Sequence, residues 1–280
     1  MSDIISQDIK QYSESFYRLI DKHTGICLDA SKDYLVASRL APIAKRHGFT
    51  HYEMLLKHLF LIPLGEVHWE CFEAMTINET MFFRDIHPFE TIKNHILPKI
   101  IQKNQTKKSL NIWCAAASTG QEPYSLSMLI KDTFPELDSW KVFILATDIC
   151  DLALKKAMNG IYNVTEMSRG LSPIQIEKNF TKLENGSWQI NSDVKKNIVF
   201  QRQNLVEEWS IQPKFDLILL RNVLIYFKPD TKIIVFNKLF DQFADDDSYL
   251  LLGSSEFILY ENKYTMLKHD RMTYYHRTKV

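Results

Sequence analysis

Apolar positions in the first part of the chain recur three and four residues apart. Phe16, Leu19 and Ile20 open one such face, Tyr34, Leu35, Ala37 and Leu40 a second, and Tyr52, Met54, Leu55, Leu56 and Leu59 a third. That spacing is the period of a helix with one buried stripe. Gly25, Gly48 and Gly65 fall between the stripes, where C-caps and turns favour glycine. Residues 1–90 therefore read as a small all-α domain with its linker.

From about residue 107 the pattern changes to short, continuous apolar runs: "LNIWCAA", "KVFILATD", "NIVFQRQN", "FDLILLRN" and "SYLLLGSSE". Helical stretches separate most of them, as in "EPYSLSMLIKDTF", "DLALKKAMNG" and "DTKIIVFNKLFDQF". Strand and helix in alternation predict an α/β fold whose mainly parallel, Rossmann-like sheet is covered on both faces. The closing "YTMLKHDRMTYYHRT" reads as two strands around a His-Asp turn, an antiparallel hairpin at the sheet edge. Residues 91–280 form this second domain, and one stretch within it departs from the scheme. Residues 161–196 carry weak strands around Asn185-Gly186, as an inserted small β-subdomain would.

Composition narrows the function. Lys and Arg balance Asp and Glu at 34 each, so no global field favours nucleic acid. The four cysteines lie far apart without Cys/His spacing, which predicts neither a metal site nor a disulfide framework. No apolar run reaches membrane-spanning length and the N-terminus is polar, so a cytoplasmic protein without membrane insertion is expected.

The candidate chemistry sits in "NIWCAAASTGQEPYSL", residues 111–126, where a strand leaves through a row of small residues. Ligands of doubly wound sheets bind beyond the carboxyl ends of the strands, where bare backbone lets a bulky ligand approach. The stretch lacks both GxGxxG and a P-loop Lys-Ser/Thr, so it is no phosphate cradle. Glu122, near the next helix start, suits a ligand ammonium, and Asp148, at the end of "LATDI", suits a ribose diol. Two acids, no phosphate loop and bare backbone describe a nucleoside bearing a cationic amino acid, which S-adenosylmethionine is. Each acid also has a plainer explanation. Glu122 could be a surface acid complementing the helix dipole, and Asp148 could cap the helix beginning near Asp151.

"NETMFFRD" (78–85), "AAASTGQEPYSL" (115–126), "LATDI" (145–149), "QNL" (203–205), "FDLILLRNVLIYF" (215–227) and "LLLGSSE" (250–256) occur in that order. Together they resemble the CheR family of chemoreceptor glutamate O-methyltransferases over nearly the whole chain. Gln121 stands where many relatives carry Glu. The resemblance implies a class I methyltransferase sheet, S-adenosylmethionine as cofactor and S-adenosylhomocysteine as product. It places Asn78, Thr80 and Arg84 over the cofactor, Glu122 and Asp148 at its methionine and ribose ends, and Asn204 and Leu205 beside the adenine. Arg221 and Asn222 come beneath the methionine moiety, and Arg84 and Tyr226 at the reacting methyl. The implied reaction gives γ-glutamyl methyl esters on the cytoplasmic helices of methyl-accepting chemotaxis proteins; a monomer is expected. An exposed glutamate with a pKa of ~4.3 is ionised at neutral pH, so no general base is required. Arg39, Lys45 and Arg46 lie in a cation-rich helical stretch that the resemblance assigns to receptor docking. In some relatives the inserted subdomain also takes up a receptor's C-terminal pentapeptide through a glycine-rich loop. "KLENGSWQI" (182–190) holds only Gly186, which a tight hairpin turn would consume, so no dependence on that tether is expected. A methyltransferase for another acceptor and a nonenzymatic cofactor-binding adaptor are the competing classes.

Overall fold

The computed structural model describes residues 2–210, 212–258, 263–269 and 271–277. The chain divides into two compact units. The first holds the described residues up to Ile77, together with Asn204–Glu208 and Tyr226–Lys232. The second holds Asn78–Gln203, Trp209–Ile225 and the described residues from Ile233 on. Residues 78–90, grouped with the helices on sequence, thus belong to the second unit.

Helices Ser2–Thr24, Asp33–Arg46, Tyr52–Leu59 and Glu66–Ala74 build the first unit. Phe16, Ile20, Val36, Leu40, Ile43, Leu55, Leu56, Leu59 and Phe72 form its core. The second helix buries Val36, Leu40, Ile43 and Ala44, while Tyr34 is 71% exposed, so the buried stripe is rotated from the expected one. The fourth helix has no clear apolar stripe because a histidine takes one inward position: His68, Cys71 and Phe72 are its buried residues. Two returning segments complete the unit. The Cys27 N–H donates to the Tyr226 carbonyl at 2.8 Å, and Ile26 forms an antiparallel bridge with Phe227. Gly25 has φ 76°, and a Cβ there would lie 2.9 Å from Val206 Cγ1.

The second unit contains ten strands among the described residues: β1 Ser109–Ala115, β2 Lys141–Asp148, β3 Ile161–Tyr162, β4 Phe180–Lys182, β5 Trp188–Ile190, β6 Ile198–Arg202, β7 Leu217–Leu220, β8 Tyr249–Leu252, β9 Tyr264–His269 and β10 Met272–Arg277. Seven form one sheet in the order β6-β2-β1-β7-β8-β10-β9. The first five are parallel, while β10 runs antiparallel to both β8 and β9. The expected edge hairpin is therefore present, although its turn residue Asp270 lies outside the described residues. All four residues of β7 and of β8 are buried, as central strands covered on both faces require. The chain leaves β1 toward β2 and β6 on one side and returns through β7 and β8 on the other. The strand order reverses between β1 and β7, and ligands of such sheets bind at that switch point, beyond the strands' carboxyl ends.

The insertion forms a separate antiparallel sheet in the order β3-β5-β4. Gly186, at φ 80°, closes its hairpin by donating to the Leu183 carbonyl at 3.0 Å. This sheet shares a core with the segment entering the unit: Phe82 packs edge-on to Tyr162 and Phe180, beside Tyr124, Met128 and Ile190. Among the described residues no helix is long and apolar enough to cross a membrane.

Candidate active site at the carboxyl ends of the parallel strands

The small residues after β1 form a twisted loop. Ala116 (φ 60°), Ser118 (φ 51°) and Gly120 (φ 94°) all take left-handed backbone. For alanine and serine this costs about 1–2 kcal/mol each, strain of a kind that concentrates at functional sites. At Gly120 a Cβ would come within 2.8 Å of the Ala157 Cβ, so only glycine fits. The twist aims the Ser118 N–H at Asp148 Oδ2, 2.7 Å away, while Asp148 Oδ1 accepts from the Cys150 N–H at 2.9 Å. Asp148 is buried, and it joins the ends of β1 and β2 rather than merely capping the next helix. The Ser118 hydroxyl donates to the Asn78 carbonyl at 3.0 Å, and the Asn78 amide reaches the Cys150 sulfur at 3.7 Å. Asn78 therefore lies at the Asp148 loop.

Arg221 follows β7 on the other side of β1. Parallel register opposes Ala115 to Thr147 on one flank and to Leu220 on the other, so Asp148 and Arg221 flank the end of β1. The Arg221 side chain is 2% exposed. Its Nη1 donates to Glu122 Oε2 at 2.7 Å, and its Nη2 to Asp85 Oδ2 at 2.8 Å and to the Arg84 carbonyl at 3.0 Å. Its buried Nε has no acceptor among the described residues. Glu122 is no surface acid, its side chain being 12% exposed. Burial pushes its carboxyl above the ordinary range. Arg221 and, more weakly, Arg84 pull it back down, while Glu256 adds to the rise. Beneath the pair, burial drives the Cys114 thiol far upward, which excludes it as a nucleophile.

The segment above this pair is strained. Phe83, Asp85 and Ile86 have φ of 47°, 69° and 51°, and the Arg84 Nη1 donates back to the Glu79 carbonyl at 2.8 Å. Phe82 and the bond from the Phe83 N–H to Ser125 Oγ, 2.9 Å, hold the segment in place. Thr80 is half-buried within it.

Asn78, Arg84, Glu122, Asp148, Arg221 and Asn222 thus belong to one unit. Asn204, Leu205 and Tyr226 belong to the other. There the Asn204 amide donates to the His23 carbonyl at 2.7 Å and its oxygen accepts from the Val206 N–H at 3.2 Å. The nominated docking cations also lie in that unit. Arg39 Nη1 donates to the carbonyls of Ala74 and Thr76 at 3.0 and 2.9 Å, terminating the fourth helix. Arg46 pairs with Glu70, and Lys45 is exposed. No role for Asp85 or Glu256 is legible in the sequence, although they end the motifs "NETMFFRD" and "LLLGSSE". Their partners are backbone groups and a guanidinium distant in the chain, which leave no mark in the local pattern.

The donor set fits S-adenosylmethionine. Asp148 is a backbone-anchored carboxylate suited to a diol, Glu122 suits an ammonium, and the orphaned Arg221 Nε–H suits the carboxylate of an amino acid. Asp148→Ala is expected to weaken binding of S-adenosylmethionine and S-adenosylhomocysteine alike by about 1.5–3 kcal/mol, since the ribose is common to both. Isothermal titration reads this directly; unchanged affinity for both would exclude Asp148 from the site.

The sequence profile of the CheR methyltransferase SAM-binding domain matches residues 78–273, and that of the CheR methyltransferase all-alpha domain matches residues 13–76. A chemotaxis protein methyltransferase of Vibrio anguillarum is 38% identical over 248 residues, covering 88% of this chain and 89% of that protein. Chemotaxis protein methyltransferase 1 of Pseudomonas aeruginosa is 36% identical over 247 residues, covering 87% and 89%. A chemotaxis protein methyltransferase of Borreliella burgdorferi is 34% identical over 245 residues, covering 86% of each chain.

Proposed function

The chain belongs to the CheR family of S-adenosylmethionine-dependent chemotaxis methyltransferases, and from that premise we propose that it methylates glutamate side chains on the cytoplasmic helices of chemoreceptors. The products are γ-glutamyl methyl esters and S-adenosylhomocysteine. The observation that carries this reading is the pair of buried groups flanking β1, the backbone-held Asp148 carboxylate and the Arg221 guanidinium, whose Nε has no acceptor among the described residues.

Bound there, S-adenosylmethionine supplies a sulfonium-activated methyl group that an ionised carboxylate takes in a single displacement. The residues of the chain then have positioning and desolvation to provide, with no proton to move. Asp148 and Glu122 fix the two ends of the cofactor, and Arg221 and Asn222 its amino-acid part. Asn78 and Thr80 cover it, and Asn204 and Leu205 stand by the adenine. Arg84 orients one oxygen of the acceptor while the other attacks, and Tyr226 stands at the methyl. The helical unit, through exposed cations such as Lys45 and Arg46, recognises acidic receptor helices, an association that weakens with salt.

Methyl-labelled cofactor incubated with receptor-bearing membranes tests the reaction. Label incorporated into receptor and released as methanol in alkali is expected, because esters hydrolyse there. Alkali-stable label, or none, would overturn the proposal. In the same assay Tyr226→Phe should lower turnover about tenfold or more while S-adenosylhomocysteine affinity stays within about twofold. Equal turnover would remove Tyr226 from the methyl.

A further inference from the structure

The loop after β7 carries Arg221 and Asn222, yet neither its sequence nor its own hydrogen bonding explains its shape. Asn222 takes left-handed backbone, φ 59°, and the chain then tightens into the single 3₁₀ turn Leu224–Tyr226. Such a reversal leaves several consecutive N–H groups pointing the same way, with no carbonyl in reach. They converge on one side chain. Glu256 Oε2 accepts from the N–H groups of Asn222 and Gly253, each at 2.7 Å. Its Oε1 accepts from Leu224 at 2.7 Å, Val223 at 2.9 Å and Ile225 at 3.3 Å.

The approach is close enough to require glycine beneath it. A Cβ at Gly253 would lie 2.6 Å from Glu256 Oε2, 2.8 Å from the Asn222 amide nitrogen and 2.9 Å from the Asn222 backbone nitrogen. "GSSE" therefore works as one device: the glycine clears the space and the acid three residues later closes back over it.

We propose that Glu256 is a positioning residue for cofactor binding, its carboxylate holding the backbone of Asn222–Ile225 so that Arg221 and Asn222 are presented at the end of β7. The same carboxylate keeps a negative charge near Glu122, whose other charged neighbours are Arg221 and Arg84, with Asp85 beyond Arg221 and Cys114 below. A glutamine cannot substitute. Its amide has one accepting oxygen, and its NH₂ would face N–H donors.

The inference rests on the cofactor reading, and titration with S-adenosylhomocysteine separates the two. If the unmodified protein binds none, that reading fails. If it binds, Glu256→Gln is expected to bind on the order of tenfold more weakly. The acid limb of its pH–affinity profile should also move to lower pH, because removing the neighbouring charge lets Glu122 ionise sooner. Gly253→Ala crowds the carboxylate without removing its charge, so it should weaken binding with the limb in place. Circular dichroism melts confirm that each variant is folded where binding is measured. Affinity of Glu256→Gln within about twofold of the unmodified protein, or an acid limb that does not move, would overturn the proposal.

Discussion

Arg221→Ala is expected to destabilise the fold by about 3–5 kcal/mol and to abolish measurable cofactor binding. Removing one partner of a buried pair leaves the other charge without compensation. Here the survivor is Glu122, 12% exposed and already pushed upward by burial. The other partner, Asp85, is 39% exposed, so solvent compensates for much of its loss. The penalty should depend on pH with a definite sign. A carboxyl whose folded pKa is raised contributes stability that is present below its unfolded value and lost as pH rises through the folded one. Without Arg221 that folded value rises further, so the penalty should grow from acid to neutral pH. Denaturant titrations at several pH values measure it, and a neutral-pH midpoint equal to that of the unmodified protein would refute the buried-pair account. Glu122→Gln added to Arg221→Ala should recover part of the stability and none of the affinity, since the ligand carboxylate still lacks its guanidinium.

Gly170→Ala is expected to cost about 2–5 kcal/mol, the sum of left-handed strain and overpacking. Gly170 has φ 87°, and a Cβ there would lie 1.8 Å from the Phe82 carbonyl oxygen and 2.8 Å from its carbon. Both are backbone atoms, so no rotamer change relieves the clash. Phe82 anchors the strained segment that presents Arg84 and Asp85. The substitution should therefore weaken S-adenosylhomocysteine binding as well as stability. Gly186→Ala is the control: its φ is 80°, but nothing among the described residues lies within 4 Å of the added carbon. It should cost only the conformational part, about 1–2 kcal/mol. Equal losses in the two variants would show that the contact with Phe82 carries no energy.

Burial on one helical stripe, or on both faces of a sheet, must be encoded position by position. The three helices around Phe16, Leu40 and Leu56 could therefore be read from spacing, as could the all-apolar β7 and β8. Glu122 and Asp148 could be nominated because an acid at a strand end has few places to point in a parallel sheet. The fourth helix is not legible from spacing because His68 stands at an inward position, satisfied by bonds with Gly65 and Leu59 rather than by apolar packing. The buried stripe of the second helix departs from the expected one through Tyr34 because an aromatic at helical spacing does not reveal which neighbouring face packs.

From the sequence alone follow the two kinds of architecture, the family motifs, and the two acids at the ends of β1 and β2, since each is written in residues close together along the chain. Tertiary structure alone decides that Arg221 is shared between Glu122 and Asp85, 99 and 136 residues away. It also decides that Glu256 gathers the N–H groups of a loop more than thirty residues earlier, and that 204–208 and 226–232 belong with the helices. The physical reason is the same in each case. Local periodicity records which side of an element avoids water, whereas a buried charge or backbone donor is satisfied by whichever partner the finished fold brings within about 3 Å.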